Sequence, residues 1–175
     1  AEALGIGYHQ VVCVCKRMGG GFGGKETQAA IPAVMAALVA SRTGRPARVA
    51  YTKDDDMRST GKRHPYKIHY KAAFTSTGKI TGVRFDIYSN GGAAADLSAS
   101  VLERTLFHSD NAYYIPNLIF NGVVCKTNFP PNTAFRGFGG PQGMANIENV
   151  IQEIAIYLQK DALEVRRLNC YAHRD

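Results

Sequence analysis

The sequence predicts an α+β fold, in which a mixed β-sheet containing a hairpin packs against helices. Apolar and polar side chains alternate from Tyr66 to Tyr88 on both sides of a Ser-Thr-Gly-Lys turn, which is typical of a β-hairpin. Two stretches near the C-terminus show helical patterns instead. Because the predicted strands and helices follow one another without a regular βαβ repeat, the pattern favours α+β over a doubly wound parallel sheet.

The N-terminal part begins with Val11–Lys16, a short β-branched apolar run that predicts a buried strand. Cys13 and Cys15 lie two residues apart in this run, so we expect both to face the same side as small buried hydrophobes. The Ala-rich stretch from Thr27 to Arg42 predicts a helix that ends at a glycine. Proline is tolerated only in a first helical turn, so the regular helix should begin near Ile31.

The remaining elements follow in chain order. Ala47–Thr52 predicts a strand, and the polar stretch Lys53–Lys62 predicts a turn. Further along the chain, the sequence predicts hairpin strands at Tyr66–Phe74 and Ile80–Tyr88, a short helix at Leu97–His108 and a strand at Leu118–Thr127. A loop rich in Pro and Gly follows at Asn128–Gly143, and two helices are predicted at Met144–Leu158 and Ala162–Asn169. Asp161 is the expected N-cap of the last helix.

Composition limits the classes of protein that this chain fits. The 175 residues include 45% hydrophobic and 20% charged residues, which is ordinary for a globular protein. The longest apolar run, Ala29–Ala40, is shorter than the roughly 20 residues of a membrane span. The four cysteines form no disulfide framework or zinc motif, which favours the cytoplasm. The formal net charge of +7 admits an anionic partner without identifying it.

A glycine-rich loop follows the first predicted strand. Gly19, Gly21 and Gly24 match the G-x-G-x-x-G pattern of dinucleotide-binding loops. The acidic residue that such a site needs about 20 positions later is missing. The same loop matches G-x-x-x-x-G-K, but Glu26 stands where a P-loop has Ser or Thr. Each nucleotide-binding motif therefore lacks its second required feature.

The tetrapeptide Gly-Phe-Gly-Gly occurs twice, at residues 21–24 and 137–140. Glycines let backbone N–H groups approach an oxygen-rich ligand closely. Phe22 and Phe138 are flanked by glycines and cannot pack as core residues within their own loops. Each ring either anchors its loop on a core or contributes to a shared site, and the second copy lies directly after Arg136.

Residues 16–26 and 133–143 resemble the two segments that surround molybdenum in the xanthine dehydrogenase/oxidase family of molybdenum hydroxylases. Glu103–His108 and Lys126–Asn128 resemble the same family, and the resemblance extends from about Val11 to Asn169. It implies that residues 1–175 are a single fragment, the N-terminal part of a molybdenum-cofactor-binding domain in a larger subunit.

The resemblance implies a molybdenum–molybdopterin cofactor. Phe22 and Arg136 would form the main-chain environment of the metal. The glycines that would let the cofactor approach are Gly20, Gly21 and Gly23.

The resemblance also implies a purine substrate. Glu26 would hydrogen-bond the ring, and Arg104 would bind its carbonyl side and stabilise the negative charge that builds there. Phe138 would pack on the ring, and Ala134 and Phe135 would line the same pocket. Similar aldehyde oxidases generally carry apolar residues in place of this Glu and Arg.

Both charged residues also have an ordinary structural interpretation. Glu26 fits a solvated loop residue or an acid favoured by a helix dipole. Arg104 fits a surface arginine paired with Glu103 or Asp96. The sequence alone leaves these alternatives open.

Other functional parts of such an enzyme are expected outside this chain. The glutamate base would lie beyond Asp175, and the [2Fe–2S] clusters and FAD would be bound by other domains or subunits of an oligomeric parent. We therefore expect the fragment alone to be inactive.

The alternative to a purine-hydroxylating enzyme is an aldehyde oxidase or another N-heterocycle hydroxylase. A nucleic-acid-binding module is a remote alternative, since Lys and Arg are spread along the chain and form no stripe; we expect neither nucleic acid nor membrane as a partner.

Overall fold

The computed structural model describes residues 1–171, which fall into two compact units divided between Gly61 and Lys62. These residues contain five α-helices and one three-stranded mixed sheet, so the predicted α+β class is confirmed. No helix within residues 1–171 has both the length and the apolar character needed to cross a membrane.

The first unit contains two short 3-10 turns and two α-helices. Helix α1 spans Ala30–Thr43 and ends at Gly44, whose φ of 64° matches the predicted glycine stop. Helix α2 spans Lys53–Ser59, where the sequence predicted only a polar turn. Thr52 and Asp55 form a reciprocal capping box that begins this helix, and three acidic residues in its first turn suit the helix dipole.

Two predicted strands are wrong. Residues 11–16 and 47–52 form no strand, because no described segment pairs with either of them. Cys13 and Cys15 are consequently exposed, contrary to the prediction that they are buried. A β-branched apolar run favours an extended backbone, but only hydrogen bonds to a neighbouring strand turn it into a sheet.

The second unit is built on a sheet with strand order β1–β2–β3. Strand β1 spans Tyr66–Phe74 and forms the predicted antiparallel hairpin with β2, which spans Ile80–Gly92. Strand β3 spans Leu118–Lys126 and runs parallel to β2. The central strand extends four residues beyond its prediction.

Three helices complete this unit: α3 spans Ser98–Phe107, α4 spans Gly140–Leu158 and α5 spans Ala162–Asn169. Helix α4 begins four residues before the predicted Met144, with Pro141 in its first turn, where proline is tolerated. Helix α5 has the predicted bounds, and the side chain of Asp161 accepts a hydrogen bond from Leu163 N at 2.6 Å, which confirms the predicted N-cap.

The hydrophobic core lies between the sheet and helix α4. Its fully buried members come mainly from β2 and α4, and Phe85 stacks on Phe120 with ring centroids 5.8 Å apart. Buried Asn169 connects the hairpin to α5, because its amide donates to the carbonyl of Gly78 at 2.9 Å and accepts from Ile80 N at 2.8 Å. The core therefore holds the sheet, α4 and α5 together as a base for the site described below.

Glu148 of α4 joins α4 to α5 and to the chain before β3. Its carboxylate accepts hydrogen bonds from the Tyr113 hydroxyl at 2.5 Å, from Asn111 Nδ2 at 3.1 Å and from Arg166 Nε at 2.7 Å. Partial burial by itself would raise the pKa of Glu148, but these donors outweigh burial and lower it. Burial and the bond to Glu148 raise the pKa of Tyr113 to about 12.

The Glu148→Gln variant should make the local stability of α5 less dependent on pH. A depressed native pKa stabilises the fold above the ordinary glutamate value of 4.5, and that contribution is lost as pH falls through the native pKa. Hydrogen exchange of α5 amides in the intact protein, measured between pH 3 and 7, should show this loss in the wild type and a weaker loss in Glu148→Gln. The exposed Glu164→Gln is the control. If the pH dependence of exchange in Glu148→Gln equals that of the wild type, the hydrogen bonds of the Glu148 carboxylate do not stabilise α5.

Candidate functional site

The site of the second unit is organised by direct backbone contact between helices α3 and α4. A Cβ added at Gly139 would lie 2.1 Å from the carbonyl oxygen of Val101, and one added at Gly143 would lie 2.4 Å from that of Thr105. Both distances are far shorter than a carbon–oxygen contact. The two helices therefore approach this closely only because these positions are glycine.

Thr105 fixes the same contact through its hydroxyl group. This fully buried Oγ1 lies 3.0 Å from the carbonyl oxygens of both Val101 and Gly139, so its single proton goes to one of them. The hydroxyl of Tyr66 on β1 lies 2.9 Å away and donates to it. Strand β1, helix α3 and the start of α4 are thus joined at one buried hydroxyl.

The turn before α4 directs the Phe138 side chain. Phe138 N donates to the Phe135 carbonyl at 2.7 Å, and Gly137, Phe138 and Gly139 have positive φ values of 90°, 51° and 97°. The left-handed region is unfavourable for a phenylalanine, so the surrounding contacts must hold it there. The strain falls on Phe138, a residue whose sequence context had already indicated a role in the site.

Arg104 and Phe138 meet at an open depression of about 330 Å³ on the surface of the second unit. Arg104 is exposed and forms no ion pair among residues 1–171, so the alternative pairing with Glu103 or Asp96 is not observed. An aromatic face beside an available guanidinium suits a flat ligand with a polar, electron-rich edge. The lining residues are Ser100, Glu103, Arg104, Phe107, His108 and Phe138.

His108 is a part of this depression that sequence reasoning did not single out. Its Nδ1 lies 2.9 Å from the Arg104 carbonyl oxygen. A carbonyl only accepts, so Nδ1 carries the proton and a neutral ring presents Nε2 as an acceptor. The i,i+4 spacing from Arg104 on one helix face is the sequence signal that could have identified it.

The other predicted residues of this turn lie outside the depression. Ala134 is buried, and Phe135 is 48% exposed, with Arg63 positioned 4.5 Å from the centre of its ring. The main-chain carbonyl of Arg136 accepts a hydrogen bond from the Arg63 guanidinium at 2.6 Å. The substrate-lining roles of Ala134 and Phe135 stay predictions.

The glycine loop of the first unit has the same unusual backbone as the turn before α4. Phe22 has a φ of 57°, and Gly20, Gly23 and Gly24 also have positive φ values. The Phe22 ring covers Gly20, where an added Cβ would lie 2.3 Å from Cε2 of the ring. Phe22 is nevertheless 63% exposed, so most of its surface faces solvent.

Glu26 lies on an exposed turn just after this loop. Within residues 1–171 its carboxylate has no hydrogen-bond partner, and it lies before the first residue of α1. A solvated carboxylate that is free to bind a ligand matches the sequence-based assignment, and it also matches an ordinary surface acid. Its role stays a prediction.

The available donors fit a large, oxygen-rich cofactor that brings its own metal ligands. The part of the chain that the structure describes holds no cluster of three or more His, Cys, Asp or Glu side chains. It offers main-chain groups instead. In the first unit, Gly21 is exposed with open space around it; in the second unit, Gly137 is exposed and its N–H has no partner within residues 1–171. Backbone N–H groups in glycine turns are suitable donors to anionic oxygen ligands.

Each unit contains a glycine turn in which a phenylalanine has a positive φ, and in the second unit Phe138 lines a depression together with Arg104. Glycine turns of this kind suit a domain that binds an oxygen-rich cofactor. Comparison with known proteins identifies the cofactor class. The family model described as "Molybdopterin cofactor-binding domain" matches residues 1–170, and the chain belongs to that family.

Curated relatives are similar over the whole chain. It is 51% identical over 175 residues to xanthine dehydrogenase of Calliphora vicina and 50% identical over 175 residues to xanthine dehydrogenase/oxidase of Rattus norvegicus. Each alignment covers 100% of this chain and 13% of the relative. For xanthine dehydrogenase of Oryza sativa subsp. japonica the identity is 52%, over 97% of this chain and 12% of the relative. The chain therefore spans about an eighth of the length of these relatives.

Solved structures share the fold. Aldehyde oxidoreductase from Desulfovibrio gigas superposes with a TM-score of 0.78 at 32% identity, covering 90% of this chain and 17% of that one. Quinoline 2-oxidoreductase from Pseudomonas putida 86 gives a TM-score of 0.72 at 23% identity, over 88% of this chain and 20% of that one, and shows the fold alone.

Gly139→Ala should disrupt the site, whereas Gly140→Ala should be tolerated. An alanine Cβ at position 139 would collide with the Val101 carbonyl at a positive φ, but at position 140 it would meet the His108 ring at an ordinary 3.7 Å. Hydrogen exchange of α3 amides in the intact protein should show local stability lowered by about 1–3 kcal/mol in Gly139→Ala. Gly140→Ala should change it by less than about 0.5 kcal/mol. Equal effects would show that the helix contact does not depend on Gly139.

Proposed function

We propose that this chain is part of a xanthine dehydrogenase, an oxidoreductase that hydroxylates hypoxanthine and xanthine to urate with oxygen derived from water. The observation that carries the proposal is the pairing of Arg104 with Phe138 at one depression. Identity of about 50% to xanthine dehydrogenases over the full chain supports it independently.

The proposed roles in substrate binding follow from the chemistry of these side chains. The Phe138 ring packs against the flat purine and fixes its plane. The Arg104 guanidinium donates to a purine carbonyl oxygen and stabilises the negative charge that builds there during the reaction. Glu26 hydrogen-bonds a polar edge of the ring. Because the Arg104 guanidinium has no ion pair among residues 1–171, a ligand does not have to displace a carboxylate from it.

The proposed cofactor role falls on main-chain groups. Phe22 and Arg136 form the environment of the molybdenum, and the cofactor approaches the backbone at Gly20, Gly21 and Gly23. When bound, molybdenum–molybdopterin supplies the activated oxygen and accepts the electrons of the oxidised carbon. The chain's own contribution is to hold the cofactor and to orient the substrate toward it.

The parent protein would contribute what this chain does not provide. We infer a glutamate base elsewhere in the same subunit, together with domains or subunits that bind [2Fe–2S] clusters and FAD. An oligomeric, cytoplasmic parent that takes a purine and neither nucleic acid nor a membrane as its partner remains part of this proposal.

An aldehyde, or an N-heterocycle other than a purine, is the alternative substrate. The similarity in fold to the aldehyde oxidoreductase of Desulfovibrio gigas favours it. Glu26 and Arg104 favour the purine, because a carboxylate and a guanidinium match hydrogen-bonding ring edges better than they match a simple aldehyde.

Turnover by the complete polypeptide that contains this chain separates the two substrates. Urate formation from xanthine, measured by absorbance, should exceed the oxidation of an aromatic aldehyde at equal substrate concentration. Faster oxidation of the aldehyde, with molybdenum shown to be bound, would leave the family membership intact and contradict the proposal that the substrate is a purine.

Arg104→Met in that polypeptide should lower kcat for xanthine by about 10²–10³, because a donor to the developing charge is lost. Oxidation of an aldehyde, which needs no such donor, should fall by less than about threefold. Arg167→Met, which removes an exposed arginine of α5, is the matched control. Equal losses on both substrates would indicate a structural role for Arg104.

A further inference from the structure

We propose that Arg63 is a positioning residue, which fixes the orientation of the Arg136–Gly137 peptide at the turn before α4. This inference rests on the proposed function, in which that turn faces the cofactor. Arg63 lies 73 positions before Arg136 in the sequence, and no motif indicated it. Three contacts of its guanidinium group point to the role.

The guanidinium contacts three parts of the turn. Nη2 donates to the main-chain carbonyl of Arg136 at 2.6 Å, and Nη1 donates to Oε1 of Gln142 in the first turn of α4 at 3.3 Å. The guanidinium carbon lies 4.5 Å from the centre of the Phe135 ring, within the range of a cation–π contact. One side chain thus binds both ends of the turn and covers its aromatic residue.

These contacts fix a backbone donor as well as a carbonyl. The described peptide bonds are all trans, and in a trans peptide the C=O and the N–H point in opposite directions. Holding the Arg136 carbonyl toward Arg63 therefore directs the Gly137 N–H away from Arg63. Gly137 is an exposed residue and its N–H has no partner within residues 1–171, so the N–H is available to an oxygen ligand.

Arg63 is itself held in place by its neighbours. Thr133 N donates to the Lys62 carbonyl at 3.1 Å, and the ring of buried His64 hydrogen-bonds Ser98 Oγ at 2.7 Å. Gln142 Nε2 lies 3.4 Å from the His64 carbonyl, at the long end of a hydrogen bond. Because hydrogen bonds hold the residues on both sides of Arg63, its backbone is fixed. Its guanidinium can therefore hold the turn before α4 in one position.

Arginine suits this role in a way that lysine does not. The planar guanidinium donates in two directions at once and still presents a flat face to the Phe135 ring. A lysine ammonium would keep the charge but lose the planar fork. The two substitutions therefore separate the effect of charge from that of geometry.

The test uses the intact parent enzyme with the variants Arg63→Ala and Arg63→Lys. Arg84→Ala is the matched control, since it removes an arginine that also donates two hydrogen bonds, both to Asp86 beside it on β2. Hydrogen exchange of the Phe138 amide, which closes the turn, should accelerate at least tenfold in Arg63→Ala and remain unchanged in Arg84→Ala. For xanthine, kcat should fall by about 10–100-fold with KM changed less than about threefold, the loss typical when a supporting residue around a metal site is removed. Arg63→Lys should resemble Arg63→Ala more than the wild type.

The two readouts keep the two proposals apart. If the wild type forms no urate, the proposed function fails, while hydrogen exchange still decides whether Arg63 holds the turn. Unchanged exchange of the Phe138 amide in Arg63→Ala would overturn the positioning role. Faster exchange with unchanged kcat would overturn its importance for catalysis, and wild-type behaviour of Arg63→Lys would overturn the need for the planar fork.

Discussion

The contact between the backbones of α3 and α4 is the constraint on which the site of the second unit depends. Gly139 and Gly143 let the start of α4 rest directly on carbonyl groups of α3, and the buried Thr105 hydroxyl joins this contact to the sheet. Because Arg104 projects from α3 and Phe138 lies just before α4, this contact brings the guanidinium and the ring to one depression. The core beneath α4 supports the arrangement but does not create it.

Local sequence signals predicted the second unit and helix α1 of the first unit well, and the rest of the first unit poorly. The hairpin, α5 and its Asp161 cap depend on alternation, helical period and capping, all of which act over a few residues. The strand predicted at 11–16 needed a partner that residues 1–171 do not provide, so its apolar residues remain exposed. The capping box between Thr52 and Asp55 was a local signal for α2 that the polar composition of this stretch obscured.

The site was predictable where its residues form continuous motifs in the sequence, because such motifs show both the chemistry and the family resemblance. The glycine turns around Phe22 and Phe138 were recognisable in this way, and the structure adds that both phenylalanines adopt left-handed backbone angles. Arg63 was not predictable, because its function depends on hydrogen bonds across 73 and 79 positions in the sequence. Contacts of this kind follow from the topology, which places residues 62–64 beside the turn that precedes α4.

The proposed function depends above all on Arg104 and Phe138 binding a purine together. A crystal structure of the intact parent enzyme with xanthine bound tests it most directly. We expect the purine ring to pack against the face of Phe138 and one of its carbonyl oxygens to accept a hydrogen bond from the Arg104 guanidinium. A purine ring bound outside this depression, with Arg104 in contact only with solvent or a carboxylate, would contradict it.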